Sequence, residues 1–319
     1  MSFEFRRLSY VLNVAALGVC LAASPAFAID WNKASGKDIT LFYPGQASWE
    51  WVLTEKDHSG APKFRGGKNC VDCHEGEQKD MGDRIVTGKK LEPAPIPGKR
   101  GSVTMNVKAA YDAANLYLRL QWPDQALQNG IKPQSKDQAK VTVIIDDGSV
   151  TEATRAGCWG VCHDDANGMT SHPAGQDIKK YLAKSRTKIT RQGGGLNYKT
   201  DAEIAALAAS GHYLEYWQAH LNPGKPAAAS AGHILKAREE TTPSAVKASA
   251  ELQNGVWTVV LSRPLKAAGP YEKAIAPGKT YTVGFAIHDS FAAGRHHYVS
   301  FGYSLALDDK TAAVPALKQ

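Results

Sequence analysis

Cys70-Val71-Asp72-Cys73-His74 packs the most chemistry into the fewest residues of this sequence. Two thiols three positions apart reach the two vinyl groups of one porphyrin, and the next histidine falls under the iron as an axial ligand. Cys158-Trp159-Gly160-Val161-Cys162-His163 repeats the arrangement with one more residue between the cysteines. The same two thioether bonds form there if the loop bulges, and Gly157 and Gly160 supply the backbone freedom. The spacing therefore predicts two covalently attached haem c groups. One is held by Cys70 and Cys73 with His74 on the iron, the other by Cys158 and Cys162 with His163. Competing uses of the four thiols are a zinc site, two disulfides or a thioredoxin-like pair. The pairs stand too far apart for a zinc ribbon, the first lacks the strand-to-helix setting of a redox pair, and none of these uses explains a histidine behind each pair.

An iron that only exchanges electrons takes a sixth ligand, usually His or Met. For the first haem the candidate is His58, in Asp57-His58-Ser59-Gly60 just upstream, with Met81 behind it. For the second it is the pair in Arg295-His296-His297, His297 ahead of His296, with His288, Met105 and Met169 as further candidates. His172, His212, His220 and His233 read as solvated or capping histidines. Met105 lies on an alternating segment, where a core role competes with ligation. Trp122, Trp217 and Trp257 read as core aromatics, and Trp159 as a ring packing on the porphyrin. Asp146-Asp147 and Asp164-Asp165 lack the alternating oxygens of an EF-hand and read as turn residues. No G-x-S-x-G, H-E-x-x-H or phosphate loop occurs, so nothing points to a hydrolase.

The elements that must position these residues are legible in outline. The chain has 319 residues, 43% hydrophobic and 22% charged, enough to bury a core and too apolar for wholesale disorder. Residues 1–28 read as an export signal: Arg6 and Arg7, an apolar run over Val11–Ala23, then Ala26-Phe27-Ala28. Cleavage removes Cys20, leaves four cysteines in two pairs, lowers the net charge of +7 by one and predicts a periplasmic product that does not span the membrane. Residues 29–98 are expected to form a small irregular cytochrome c-like segment ending in a stiff linker, with Pro93, Pro95 and Pro97 at alternate positions. From 99 to 310 the period changes to two. Val103, Met105 and Val107, then Leu116 to Trp122, Val141 to Ile145, Trp257–Leu261, Tyr281–Ile287 and His297–Leu307 read as strands. Thr200-Asp201-Ala202-Glu203 is a capping box opening a helix that Gly211 interrupts before His212–Leu221 and Asn222-Pro223-Gly224 ends. The fold class is mainly β: a β-sandwich with a helical, loop-rich insertion between about 149 and 250, and a tail over 311–319.

Ser102–Asp124, Gly157-Cys158 to His163-Asp164-Asp165, Trp257–Leu265 and Phe285–Ser300 together resemble the ethylbenzene dehydrogenase-related haem-binding domain. That is the fold of the gamma subunit in periplasmic molybdenum enzymes of the dimethyl-sulfoxide-reductase type. The resemblance implies a haem-holding β-sandwich that passes electrons. In the best-known members a b-type haem is held by Met and Lys, and Met105 occupies a first-strand position that matches the Met. The added Cys158, Cys162 and His163, and the extension around Cys70–His74, point instead to covalent haem with histidine ligands.

The expected function is a periplasmic dihaem c-type cytochrome passing single electrons between redox partners. Partners with acidic docking surfaces suit Lys89, Lys90, Lys99 and Arg100, and a molybdenum oxidoreductase or a membrane quinol dehydrogenase is the candidate; nucleic acid is not. The alternative is a haem enzyme, a small-oxyanion reductase or peroxidase with one open iron position.

Overall fold

In the computed structural model the described residues are 29–319, apart from 46–48, 91, 93–94, 96, 128–131, 162, 165–178, 181, 189–197 and 295. The expected signal at 1–28, and Cys162, Met169 and His172, lie outside them. The chain opens with strand β1 (Gly36–Phe42) and four short helices, α1 (Trp49–Val52), α2 (Ala61–Arg65), α3 (Val71–His74) and α4 (Gln78–Val86). Strands β2 (Ser102–Tyr111), β3 (Asn115–Pro123) and β4 (Ala139–Asp146) follow, then helix α5 (Thr151–Ala156). Two-residue strands β5 (His163–Asp164) and β6 (Lys179–Lys180) pair with each other, and helix α6 (Asp201–Ala209) comes next. The remainder is β7 (Leu214–Leu221), β8 (Ala228–Ile234), β9 (Arg238–Glu240), β10 (Lys247–Gln253), β11 (Val256–Pro264), β12 (Thr280–His288), β13 (Tyr298–Val299), β14 (Tyr303–Leu307) and β15 (Val314–Lys318).

The sheet runs β10-β11-β3-β2-β1-β13-β12-β4-β7-β8-β9, with β14 and β15 also bridging β12 to β2. The wing of β10 and β11 touches the wing of β8 and β7, so the sheet folds back on itself as a sandwich. Alternation dictates its interior. Leu116, Leu118, Leu120 and Trp122 of β3 face Val107 and Met105 of β2, Val141, Val143 and Ile145 of β4, and Trp217, all buried. Each such aliphatic side chain contributes about 1.5–3 kcal/mol relative to exposure. Trp122, Trp217 and Trp257 are the core aromatics expected. A second apolar cluster lies on the other face of β12, β4 and β7, where Ala286, Ile144 and Tyr216 pack under Phe42, Trp49, Phe64 and α5.

Five expectations change. His212–Leu221 does not continue the helix: Leu214–Leu221 is a strand, paired on both sides and buried on both faces although Glu215, Gln218 and His220 lie in it. The supposed insertion between 149 and 250 likewise contributes β7 to β10 to the main sheet. The segment over 29–98 is not set apart either, because β1 pairs with β2 along its whole length. The proline-rich stretch is anchored at both ends, Glu92 accepting from the Tyr43 hydroxyl and Lys99 and Arg100 sharing the buried Asp289 carboxylate. Lys99 keeps only 6% of its side chain exposed, so it offers no charge to a partner, whereas Lys89 and Lys90 remain exposed. Residues 311–319 include strand β15 rather than trailing free.

The helix that was expected does form: Thr200 and Glu203 make the reciprocal capping box, and Ile204, Leu207 and Ala208 pack on the second cluster. Asp146 accepts from the Gly148 and Val150 N–H groups and the Ser149 hydroxyl, as a turn residue does.

Asp112 ties the β2–β3 turn, accepting from the Ala114 N–H, the Asn115 N–H and the Tyr117 hydroxyl, each at 2.7 Å. Partial burial pushes this carboxyl up, but the hydrogen bonds outweigh it and hold it below the usual carboxylate value. Asp112→Ala is expected to cost about 1–2 kcal/mol in urea unfolding at pH 7. A depressed folded-state value stabilises above about pH 4 and that stability is lost as pH falls through it, so the two proteins' stabilities converge in acid. A constant difference down to pH 3 would refute this role.

Candidate functional site

Residues 49–86 form a cap of short helices over the second apolar cluster. Within it, the His74 N–H donates to the Cys70 carbonyl at 2.9 Å, so Val71–His74 is one helical turn. Positions i, i+3 and i+4 share a helix face, which puts Cys70, Cys73 and His74 on one side. Asp72 accepts from the Asn69 N–H at 2.9 Å and fixes the start of the turn. Cys70 and Cys73 are free cysteines, the first buried and the second exposed. Burial, ahead of the opposing Arg155 charge, pushes the Cys70 thiol up to about 12, so the unmodified group is a neutral thiol.

His58 comes to the same place from the other side. Its ring centre is 6.1 Å from that of His74, with 37° between the planes. Two imidazoles bound to one metal through nitrogens at about 2 Å place their ring centres roughly 6 Å apart. Both rings are anchored at Nδ1. That of His58 donates to the Val52 carbonyl at 2.9 Å, and that of His74 to Glu77 Oε2 at 2.9 Å. Each Nε2 is then the nitrogen left for a metal, the usual outer-shell arrangement of ligating histidines. Trp51 packs beside the His58 ring at 5.4 Å.

His58, His74, Cys70, Cys73, Met81 and Trp159 all line one cavity of about 820 Å³. Phe42, Phe64 and Phe301 supply apolar walls, and the charged lining mixes Lys56, Lys63, Lys68, Arg84 and Lys90 with Glu55, Asp57, Glu77 and Asp80. Paired imidazoles, two thiols on one helix face and an apolar slot edged by charges of both signs are groups that could hold a covalently attached haem. Sequence reasoning placed His58 here and named Met81 behind it; it missed that Trp159, from the second motif, walls the first cavity.

The second motif lies against the same cluster. Cys158 is in a short 3₁₀ turn, Gly157–Gly160, with its side chain buried. Gly157 has φ 62°, and a Cβ there would sit 2.1 Å from the Phe301 carbonyl carbon, so this bend requires glycine. The Cys158 nitrogen in turn packs on Gly284 of β12 so closely that a Cβ would come within 2.7 Å. His163 begins β5, and Cys162 lies outside the described residues. The two motifs are tied together: the Cys70 N–H donates to the Arg155 carbonyl at 2.9 Å, and the Arg155 guanidinium donates to the Phe64 and Lys68 carbonyls.

The other predicted ligands are elsewhere. His297 is buried with its ring 4.8 Å from that of His288, and its Nδ1 donates to the Gly294 carbonyl. His288 is four residues along β12 from Gly284, about 13 Å at the rise of a strand, so this pair is not beside Cys158. His296 bonds Gln134 Oε1 through Nδ1 at 2.8 Å. Met105 is fully buried in the sandwich interior, in the cluster that contains neither Cys70 nor Cys158. Among the described residues no helix is long and apolar enough to cross a membrane.

A family model described as ethylbenzene dehydrogenase matches residues 28–242 and 225–300. A protein named cytochrome c-552 from Stutzerimonas stutzeri is 38% identical over 299 residues, 92% of each chain. Cytochrome c-551 from Rhodocyclus tenuis is 30% identical over 295 residues, 91% of this chain and 99% of that one. Among solved structures, a family 9 carbohydrate binding module from Caldicellulosiruptor kristjanssonii, in complex with glucose, aligns at TM-score 0.29 and 11% identity over 64% of this chain and 69% of that one.

Proposed function

We propose, from the premise that this chain belongs to the ethylbenzene dehydrogenase family, that it is a periplasmic dihaem c-type cytochrome carrying single electrons between redox partners. The observation that carries the reading is the His58–His74 pair, 6.1 Å between ring centres, facing each other in a cavity that Cys70 and Cys73 also line. Cys70 and Cys73 attach the first haem, His74 and His58 hold its iron, and Cys158, Cys162 and His163 hold the second. A bound haem supplies one-electron exchange. The chain supplies two anchored imidazoles, which leave no open position on that iron and so favour electron transfer over a reductase or peroxidase. The relatives' names, both cytochromes c, support the same choice.

Trp159 and Arg155 link the second motif's segment to the first cavity. Trp159 follows Cys158 and walls the first cavity, while Arg155 holds Cys70 and the loop before it. Exposed Lys56, Lys63, Lys68 and Lys90 around the first cavity suit a partner with an acidic docking face, a molybdenum oxidoreductase or a membrane quinol dehydrogenase.

Protein matured in a strain competent for cytochrome c assembly is expected to carry two haems that survive denaturing electrophoresis. Replacing Cys158 and Cys162 with Ala is expected to halve the haem per chain by intact mass. Unchanged stoichiometry would remove the second haem from this reading, and the absence of any covalent haem would end it.

A further inference from the structure

We propose that Glu77 is a positioning residue that lowers the reduction potential of the haem attached at Cys70 and Cys73, acting through the His74 ring. The inference rests on the first-haem half of the reading above. Glu77 Oε2 accepts from His74 Nδ1 at 2.9 Å, whereas the opposite ring, His58, gives its Nδ1–H to the Val52 carbonyl at the same distance. The two imidazoles that face each other across the cavity are therefore unlike, one bonded to an anion and the other to a neutral amide oxygen.

A carboxylate that accepts the Nδ1 proton draws it partly away from the ring and makes Nε2 a stronger base. A more basic ligand and the negative charge behind it both favour the oxidised iron, so the potential falls. A backbone carbonyl carries no net charge and has the weaker effect. The His74 side of the cavity is thus the one from which the chain adjusts the potential.

The local fold delivers this contact. Gly76, at φ 83°, turns the backbone just after the motif, and the Glu77 N–H closes the turn on the His74 carbonyl at 3.1 Å. Glu77 then occupies the N-cap of α4, where a side-chain oxygen ordinarily accepts from the helix's own first N–H groups, yet it makes no such bond. Its carboxylate turns back to His74, in the cavity that both residues line. Stability does not account for the choice. The Glu77 side chain is 59% exposed and that of His74 30%, a setting in which an ion pair adds little to folding.

The test is spectroelectrochemical titration of the full-length holoprotein. Glu77→Gln keeps an oxygen that can accept from Nδ1 and removes the charge. It is expected to shift one potential upward and to keep the low-spin spectrum, since both histidines still bind. Glu77→Ala, which removes the acceptor as well, is expected to shift the same potential at least as far. A merely structural Glu77 would leave the potential of the Gln variant in place, so unmoved potentials in both variants would overturn the proposal. Asp80 lines the same cavity, and Asp80→Asn removes an equal charge without touching the His74 hydrogen bond. Its expected shift is the smaller one; a shift as large as that of Glu77→Gln would overturn a role exerted through the ring. Wild-type protein whose Cys70–His74 peptide carries no haem by mass would overturn the first-haem reading itself, a result distinct from a haem that is present with an unmoved potential.

Discussion

Replacing His58 with methionine is expected to raise the reduction potential of one haem and leave the other unmoved. The His58 ring is set by the Val52 carbonyl on one side and by Trp51 on another, and Gly60 makes room beneath it: a Cβ there would meet Cε1 at 3.0 Å and Nε2 at 3.1 Å. A thioether on the iron donates less electron density than imidazole and stabilises the reduced state, so the shift is upward and on the order of 0.1–0.2 V. Spectroelectrochemical titration of the holoprotein measures it. Two unmoved potentials would show that His58 does not touch the iron. His58→Ala removes the ligand without replacing it, and there the expected result is a high-spin signal from the haem attached at Cys70. Met81, which lines the same cavity, is the residue whose replacement should then matter if His58 does not.

Arg263→Met is the substitution with the largest expected effect on stability. The side chain, fully buried in β11, crosses to Glu215 of β7, with Nε 2.8 Å from one carboxylate oxygen and Nη2 3.1 Å from the other. It also donates to the carbonyls of Pro264 and Lys273, while Glu215 accepts from the Lys273 N–H and the Trp217 indole. The bond thus pins one wing of the folded sheet to the other. Removing the cation leaves a buried carboxylate with no counter-charge, at a cost of about 3–5 kcal/mol. At about 2–4 °C per kcal/mol for a chain of this size, the melting temperature falls on the order of 10 °C. An exposed pair such as Lys236–Asp201 sets the contrast, at less than about 1 kcal/mol. The double variant Arg263→Met, Glu215→Leu is expected to recover much of the loss, since it removes both charges together. A fall of less than about 2 °C for Arg263→Met would show that the pair does not hold the wings together.

What the sequence made legible follows from range. Cys70, Cys73 and His74 lie within one helical turn, so their chemistry needs no tertiary information, and His58 is close enough in sequence to be named beside them. The alternating strands β2, β3, β4 and β11 were readable because one face is buried and the other is not. β7 was not, because both its faces are covered and Glu215, Gln218 and His220 interrupt its apolar residues without a period of two. The local sequence reads His212 as capping or solvated, yet it is buried with its Nδ1 on the Ser149 carbonyl, 63 positions away. Lys99 looked like docking charge for a similar reason: Asp289, its partner, is distant in sequence, and nothing local to Pro-Gly-Lys-Arg announces it.

Both ends of the described chain come to rest on β2. β1 pairs with Ser102 to Lys108 and β15 with Ala109 to Tyr111, end to end along one edge, while β3 takes the other. The Asp30 N–H donates to Gln319 Oε1 at 3.2 Å. Ends this close can be joined by a short linker and the chain reopened at an exposed turn, and Asn254-Gly255 between β10 and β11 is such a turn. In that circular permutant the stretch carrying His58 and His74 moves from the start of the polypeptide to its middle, with every strand pairing other than the cut hairpin's connection kept. The cap that carries His58 and His74 is therefore a property of the sheet's surface and not of its position in the order of the chain.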